Sequence, residues 1–139
     1  MSLFRVFDIA ATALNAQSVR MNTTASNMAN ANSASSSSGA TYRARNPIFT
    51  PLLINEFGMQ GTTVGGVKID GIVESEAPLR REYHPQHPMA DQEGYVFLPN
   101  VNVIEEMANM ISASRSYQTN IEVIEASKRM LQQTLALGQ

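Results

Sequence analysis

Residues 101–137 read VNVIEEMANMISASRSYQTNIEVIEASKRMLQQTLAL, a run that contains neither glycine nor proline. Side chains in this run form two rows that each repeat every seven residues. One row is Val103, Met110, Tyr117, Ile124 and Leu131, and the companion row is Met107, Ser114, Ile121, Lys128 and Leu135. Such a repeat predicts a helix that packs lengthwise against another helix. Asn102 predicts the start of this helix and Gly138 its end.

The N-terminal segment, up to residue 34, carries a weaker repeat and also lacks glycine and proline. Its apolar row is Phe7, Leu14, Met21 and Met28, and its companion row is Leu3, Ala10, Gln17, Thr24 and Ala31, with Asn27 and Asn30 beside them. We predict a second terminal helix, so that the two would be roughly 42 Å and 55 Å long. Small and amide side chains bury little apolar area, at about 25 cal/mol per Å². We therefore expect the first helix to order fully among neighbouring helices, with an antiparallel pair inside the chain as the alternative.

The middle of the chain differs in composition from both ends, because all 6 Pro and seven of the 8 Gly lie between Gly39 and Pro99. Short strands are predicted at 42–49, 67–74, 79–83 and 95–98. In the second of these, alternation places Val67, Ile69 and Val73 on one face and Lys68, Asp70 and Glu74 on the other. The polar run Ser33–Ser38 is interpreted as a flexible hinge.

Together these segments predict an α+β fold, in which two long terminal helices form a coiled-coil-like layer and a small β-rich insert lies between them. We divide the chain into residues 1–34, the N-terminal assembly helix; 35–99, the hinge and β-rich insert; and 100–139, the C-terminal assembly helix.

Composition excludes several classes of protein. The chain has 139 residues, a formal net charge of -2 and no Cys. No basic cluster is present for nucleic acid, and disulfides and thiolate metal sites are impossible. No apolar run approaches the roughly 20 residues of a membrane-spanning helix. Arg5 and Asp8 interrupt the apolar N-terminus, so we predict no cleaved signal peptide.

Motifs for chemistry are scarce. His84 and His87 lie in a proline-rich loop near Asp91 and Glu93, but a third strong ligand at a recognisable spacing is missing. Neither His belongs to a nucleophile–base motif, and no phosphate-binding glycine loop occurs. We predict no catalytic, cofactor-binding or metal site and no enzyme activity. A small hydrolase or metal protein that uses both His side chains stays as an alternative.

Two terminal segments resemble a known family. Residues 15–22 (NAQSVRMN) and 25–33 (ASNMANANS) resemble the N-terminal signature shared by flagellar rod and hook proteins. Residues 98–107 (LPNVNVIEEM) and 112–123 (SASRSYQTNIEV) are similar to their C-terminal signature. Between them, 42–45 (YRAR), 66–69 (GVKI), 85–91 (PQHPMAD) and 94–96 (GYV) look like the short insert of the proximal rod members of that family.

The resemblance implies a structural subunit of the flagellar basal-body rod. Such subunits leave the cytoplasm through the flagellar type III export apparatus without signal cleavage, and polymerise in the periplasm into a hollow axial drive shaft that transmits torque. Their partners are further copies and other rod proteins. A soluble coiled-coil adaptor that works as a discrete dimer is the alternative function.

The side chains that we expect at the assembly interface come from both terminal helices. They are Phe7, Leu14, Met21, Asn27, Met28, Asn30, Val103, Met107, Met110, Tyr117, Asn120, Ile121, Ile124, Leu131 and Leu135.

Overall fold

The computed structural model describes residues 3–55 and 62–137. The elements in chain order are α1 (Leu3–Asn30), β1 (Arg45–Asn55), β2 (Thr62–Glu74), β3 (Arg80–Tyr83), β4 (Tyr95–Leu98) and α2 (Val103–Leu137). The strands form two separate two-stranded antiparallel sheets, β1–β2 and β3–β4. The predicted α+β fold, with two long terminal helices around a small β insert, is confirmed.

The two helices form an antiparallel pair within the chain. At the base of the pair, Ala31 and Val101 belong to one buried cluster. Further along, Arg20 Nη2 donates a hydrogen bond to Asn109 Oδ1 at 3.0 Å. A step toward the N-terminus of α1 thus corresponds to a step toward the C-terminus of α2. The alternative that periodicity left open, an intramolecular pair, is therefore the arrangement in the structure.

The start of α2 follows the predicted capping signal. Asn102 Oδ1 accepts a hydrogen bond from the backbone N–H of Ile104 at 3.1 Å, which satisfies one of the free donors of the first turn. Glu105 and Glu106 occupy that same turn, where the helix dipole favours negative charge. The predicted start of the helix is confirmed.

The buried line of α2 is displaced by one residue from the predicted companion row. Its buried members are Glu106, Ala113 and Ser127, again seven residues apart or a multiple of seven. Because Ala113 and Ser127 are small, α1 can approach α2 closely along this line. The larger side chains of the predicted companion row lie further out, and Met107 and Leu135 are 51% and 66% exposed.

The β1–β2 hairpin runs along α1. Its register extends from Arg45↔Glu74 to Asn55↔Thr62, with irregularities between Ile48 and Phe49 and between Leu52 and Leu53. The first irregularity adds one residue to β2, and such a bulge reverses the facing of the residues beyond it. By this register Ile72 lies on the same face as Ile69 and lines a cleft with α1 residues, whereas Val73 lies on the opposite face; both side chains are about half exposed, at 51% and 45%. The predicted face of Val67, Ile69 and Val73 is wrong at Val73 for this reason.

Gly66 lies where the hairpin comes close to α1. Its φ of +149° disfavours other residues, and a Cβ at this position would overlap Thr12 Oγ1. The same hydroxyl donates to the Ile9 carbonyl at 2.7 Å and accepts from the N–H of Val67 at 3.2 Å. A glycine at this position thus allows the helix to hydrogen-bond the strand backbone.

The serine-rich run has one fixed point in the structure. Ser35 is buried and pairs with Phe97 of β4 through backbone groups. The Ser35 N–H donates to the Phe97 carbonyl at 2.9 Å, and the Ser35 carbonyl accepts from the Phe97 N–H at 3.0 Å. Ser35 thus adds a short third edge to the β3–β4 sheet. The flexible hinge predicted at Ser33–Ser38 is therefore anchored at its third residue.

Substituting Gly66→Ala tests the close approach. We expect a loss of about 1–3 kcal/mol in the free energy of unfolding, because the added methyl group overlaps Thr12 and the backbone is strained. Urea unfolding followed by circular dichroism measures this loss. Gly71→Ala is the matched control, since it lies in the same strand and its added methyl group would have no neighbouring atom within 4 Å. Equal losses in both variants would contradict the account.

Candidate assembly surface

Asn27 joins α1 to the start of the hairpin. Its side chain is 1% exposed. The amide donates from Nδ2 to the Arg45 carbonyl at 2.8 Å, and Oδ1 accepts from the Arg45 N–H at 2.9 Å. Tyr42 donates its hydroxyl proton to the same Oδ1 at 2.9 Å. A side-chain amide thus pairs with both backbone groups of one strand residue, which fixes where the hairpin leaves the helix.

A second amide, Asn100, holds both ends of the hairpin just before α2. Its Oδ1 accepts from the Ala44 N–H at 2.8 Å, and its Nδ2 donates to the carbonyls of Ser75 at 3.3 Å and Ala77 at 2.9 Å. Arg43 also donates to the Ser75 carbonyl at 3.0 Å. Buried or half-buried side chains therefore hydrogen-bond the backbone at the ends of the hairpin, where it meets α1 and the start of α2. Asn100 lies in the C-terminal motif, but nothing in its spacing predicted this contact.

The predicted interface residues of α1 are already in contact inside the chain. Asn27 is buried, and the others are half-buried: Phe7, Leu14, Met21, Met28 and Asn30. α1 packs against α2 on one side and against β1 and β2 on another. The small residues of its weak seam, such as the buried Ala10, Ala16 and Thr23, permit this double packing. The seam's low apolar content therefore reflects two close neighbours within the chain.

The predicted interface residues of α2 divide into two groups. Those on the side of α1 are half-buried: Met110, Tyr117, Asn120, Ile124 and Leu131. The more exposed group is Val103, Met107, Ile121 and Leu135. The outward side also carries Ile104 and Ile111, which are 79% and 55% exposed and which the seven-residue rows missed. Their spacing from Met107, three and four residues, was the signal that could have identified them.

The histidine loop has ordinary surface contacts. His84 Nε2 lies 3.4 Å from Glu82 Oε2, with both side chains exposed, and His87 Nδ1 accepts from the Met89 N–H at 3.1 Å. Asp91 Oδ1 accepts from two backbone N–H groups of the following turn. Within the described part of the chain, no three His, Cys, Asp or Glu side chains are grouped to hold a metal ion. The same residues contain no helix long and apolar enough to cross a membrane.

Charged pairs on the hairpin are exposed. Lys68 Nζ lies 3.0 Å from Asp70 Oδ1, and Arg45 Nη2 lies 3.1 Å from Glu74 Oε1. Hydrogen bonds from Lys68 and then Thr50 hold the pKa of Asp70 below its usual value. Surface pairs of this kind contribute little to stability. The helix–hairpin junction therefore depends on its amide hydrogen bonds and close packing.

The amide junction can be tested with Asn27→Ala. Removing the side chain leaves the Arg45 N–H and carbonyl without their partner, and we expect a loss of about 2–4 kcal/mol in the free energy of unfolding. Asn22→Ala on the exposed side of the same helix is the control, with an expected change within about 0.5 kcal/mol. Thermal unfolding by circular dichroism compares them. A similar stability for both variants would show that the junction does not depend on Asn27.

Comparison with protein families finds two matching models, one at each end of the chain. The model described as "Flagella basal body rod protein" matches residues 7–34. The model described as "Flagellar basal body rod FlgEFG protein C-terminal" matches residues 92–137. These ranges contain α1 after its first turn, and β4 with all of α2. The paired helices are thus the parts that the family models describe.

Whole-length relatives include the middle of the chain as well. The flagellar basal-body rod protein FlgC of Escherichia coli O6:H1 is 48% identical over 139 residues, which is all of both chains. The FlgC protein of Salmonella typhimurium LT2 gives the same figures. The FlgC protein of Borreliella burgdorferi is 37% identical over 151 aligned positions, with 100% and 99% of the two chains covered. The resemblance to flagellar rod proteins is thereby confirmed over the whole chain, insert included, and this chain belongs to the FlgC family of flagellar basal-body rod proteins.

Proposed function

We propose that this protein is a structural subunit of the flagellar basal-body rod, which polymerises through its terminal helices into the hollow axial drive shaft. The observation that carries the proposal is the full-length 48% identity to FlgC proteins, together with a fold made mainly of two paired terminal helices. No comparison supports a discrete coiled-coil dimer. The partners are further copies of this chain and other rod proteins.

The exposed sides of both helices support this role. α1 keeps exposed residues on both sides of its middle turns, namely Phe4, Asp8, Ala11, Asn15, Asn22, Ala25 and Ala29. Three of these seven residues are Ala and three are Asn or Asp, so a neighbouring helix can approach the α1 backbone closely. α2 exposes large apolar side chains along its length, including Ile104, Ile111 and Leu137. A soluble monomer gains nothing from such surfaces, whereas a subunit surrounded by neighbours buries them.

Torque transmission requires that force on the insert reaches the helices. The amide contacts of Asn27 and Asn100 link the hairpin to both helices through backbone groups. Hydrogen bonds to the main chain do not depend on side-chain rotamers of the hairpin, so the link is short and stiff. We propose that this junction makes the insert and the helix pair move as one body in the rod.

Export and location follow from the same proposal. The chain would pass through the flagellar type III export apparatus without signal cleavage and assemble in the periplasm. The absence of Cys suits an assembly that forms without disulfides. The buried apolar residues within the described helices are alanines, Ala10, Ala16 and Ala113, and such small contacts favour a chain that unfolds for passage and refolds on arrival. Chemistry has no part in this role, and we propose that the protein is not an enzyme.

Truncation tests the helices. Deleting residues 2–32 or residues 126–139 should abolish rod assembly, because each deletion removes one member of the helix pair or its outer end. Electron microscopy of purified basal bodies and swarming in soft agar measure the outcome in a strain that lacks the native gene. Normal motility from either truncated chain would contradict assembly through the terminal helices.

The histidine loop provides the opposite test. A double variant, His84→Ala with His87→Ala, should leave swarming unchanged, because both side chains are exposed and contact only neighbouring surface residues. Immunoblotting of basal bodies confirms that the variant is incorporated at the normal level. Loss of motility with normal incorporation would revive a chemical role for these side chains.

A further inference from the structure

One exposed apolar patch lies at the beginning of α2. Ile104, Met107 and Ile111 are spaced by three and four residues, so they lie on one side of the helix. Their exposures are 79%, 51% and 55%, and that side points away from the buried line through Ala113. We call these three residues the Ile104 patch. Nothing in the described part of the chain covers it.

An unpaired apolar segment lies at the opposite end of α2. The pairings of Ala31 with Val101 and of Arg20 with Asn109 place Leu3 level with about residue 127 at equal helical rise. In agreement, Ser127 is the last buried residue of α2. The final turns, residues 129–137, extend beyond the described start of α1, and we call them the α2 overhang. Their length is about 13 Å, close to the roughly 10 Å that the Ile104 patch spans.

The α2 overhang continues the side of the helix that packs against α1. Leu131 and Leu135 are in register with the half-buried Tyr117 and Ile124, at spacings of seven and four residues. Leu131 is half-buried, whereas Leu135 is 66% exposed. The helix–helix seam therefore runs past the described start of α1, and Leu131 and Leu135 lie four residues apart on this continuation.

Charges at the two ends are complementary. Glu105 beside the patch, and Lys128 and Arg129 at the base of the overhang, are exposed. Among the described residues none of these three side chains forms an ion pair. The helix dipole has the opposite polarity to these side-chain charges, since the patch lies at the positive N-terminal end of α2 and the overhang at its negative C-terminal end. Head-to-tail contact would bring the Glu105 carboxylate toward the positive side chains of Lys128 and Arg129.

From these observations we infer that the Ile104 patch binds the C-terminal helix end of an adjacent rod subunit, the segment that corresponds to the α2 overhang. The inference rests on the proposed rod function and names the contact that would extend the rod. The matched C-terminal model is named for FlgE, FlgF and FlgG and spans residues 92–137. One segment thus contains both the patch and the overhang. A contact between two different surfaces permits continued growth along an axis when the rotation between subunits does not close a ring.

Site-specific photo-crosslinking in assembled rods tests the contact. A photoreactive amino acid replaces Met107, basal bodies are purified after irradiation, and the crosslinked peptides are identified by mass spectrometry. We expect the partner peptide to be the C-terminal helix end of a rod subunit. The same probe at Gln118, an exposed position further along α2, is the control and should yield several-fold less of this product. A probe at Leu135 should give the reciprocal product with residues 103–111 or their equivalent.

The outcomes separate this inference from the proposed function. Crosslinks from Met107 to a ring protein, or to another part of a rod subunit, would overturn the patch assignment while leaving the rod function intact. Absence of the unmodified chain from purified basal bodies would instead overturn the rod function. As a second measurement, Met107→Glu should reduce incorporation into rods at least about tenfold. Its unfolding midpoint should match that of the parent chain, because Met107 lies outside the buried line; normal incorporation would count against the patch.

Discussion

The buried amide of Asn27 is the contact on which the arrangement of the chain depends most. It pairs with the N–H and the carbonyl of Arg45, so the first strand begins at a fixed position on α1. From there the hairpin follows the helix back to Thr12, where Gly66 permits a second backbone contact. Asn100 then gathers both ends of the hairpin at the start of α2. Three short polar contacts thus define how helix, hairpin and helix fit together with little large apolar core.

The apolar residues buried in this fold are few and small, which explains the composition of the chain. The buried apolar residues are mostly alanine and valine, such as Ala16, Ala113 and Val96, and many large apolar side chains lie on the surface. Small residues allow backbones to approach, and amide side chains then satisfy the backbone groups that are brought together. Large residues such as Ile104 and Leu137 remain for contacts with other molecules. Small residues in the interior and large apolar residues on the surface suit a subunit whose surface is buried only in an assembly.

Much of this fold could be predicted from the sequence, because its strongest signals are periodic. The absence of helix breakers and the seven-residue rows predicted both helices, and Asn102 predicted where α2 begins. The bulge in β2 could not be predicted, since alternation assumes an unbroken ladder of paired residues. The bulge places Ile72, and not Val73, on the side of the hairpin that faces α1. The exact contact line between α1 and α2 could not be predicted either. A seven-residue row of large residues has the same sequence pattern whether it forms the contact line or flanks a line of small residues. Asn27 was predicted as an interface residue for a reason unrelated to its pairing with Arg45.

The central claim is that the terminal helices of this chain form part of the rod wall. A map of the purified basal body at side-chain resolution tests it most directly. We expect the chain to lie within the rod, with the paired helices α1 and α2 packed against the terminal helices of neighbouring subunits and with the hairpin still joined to α1 through Asn27. A map in which the chain lies outside the rod, or in which its terminal helices contact no neighbouring subunit, would contradict it.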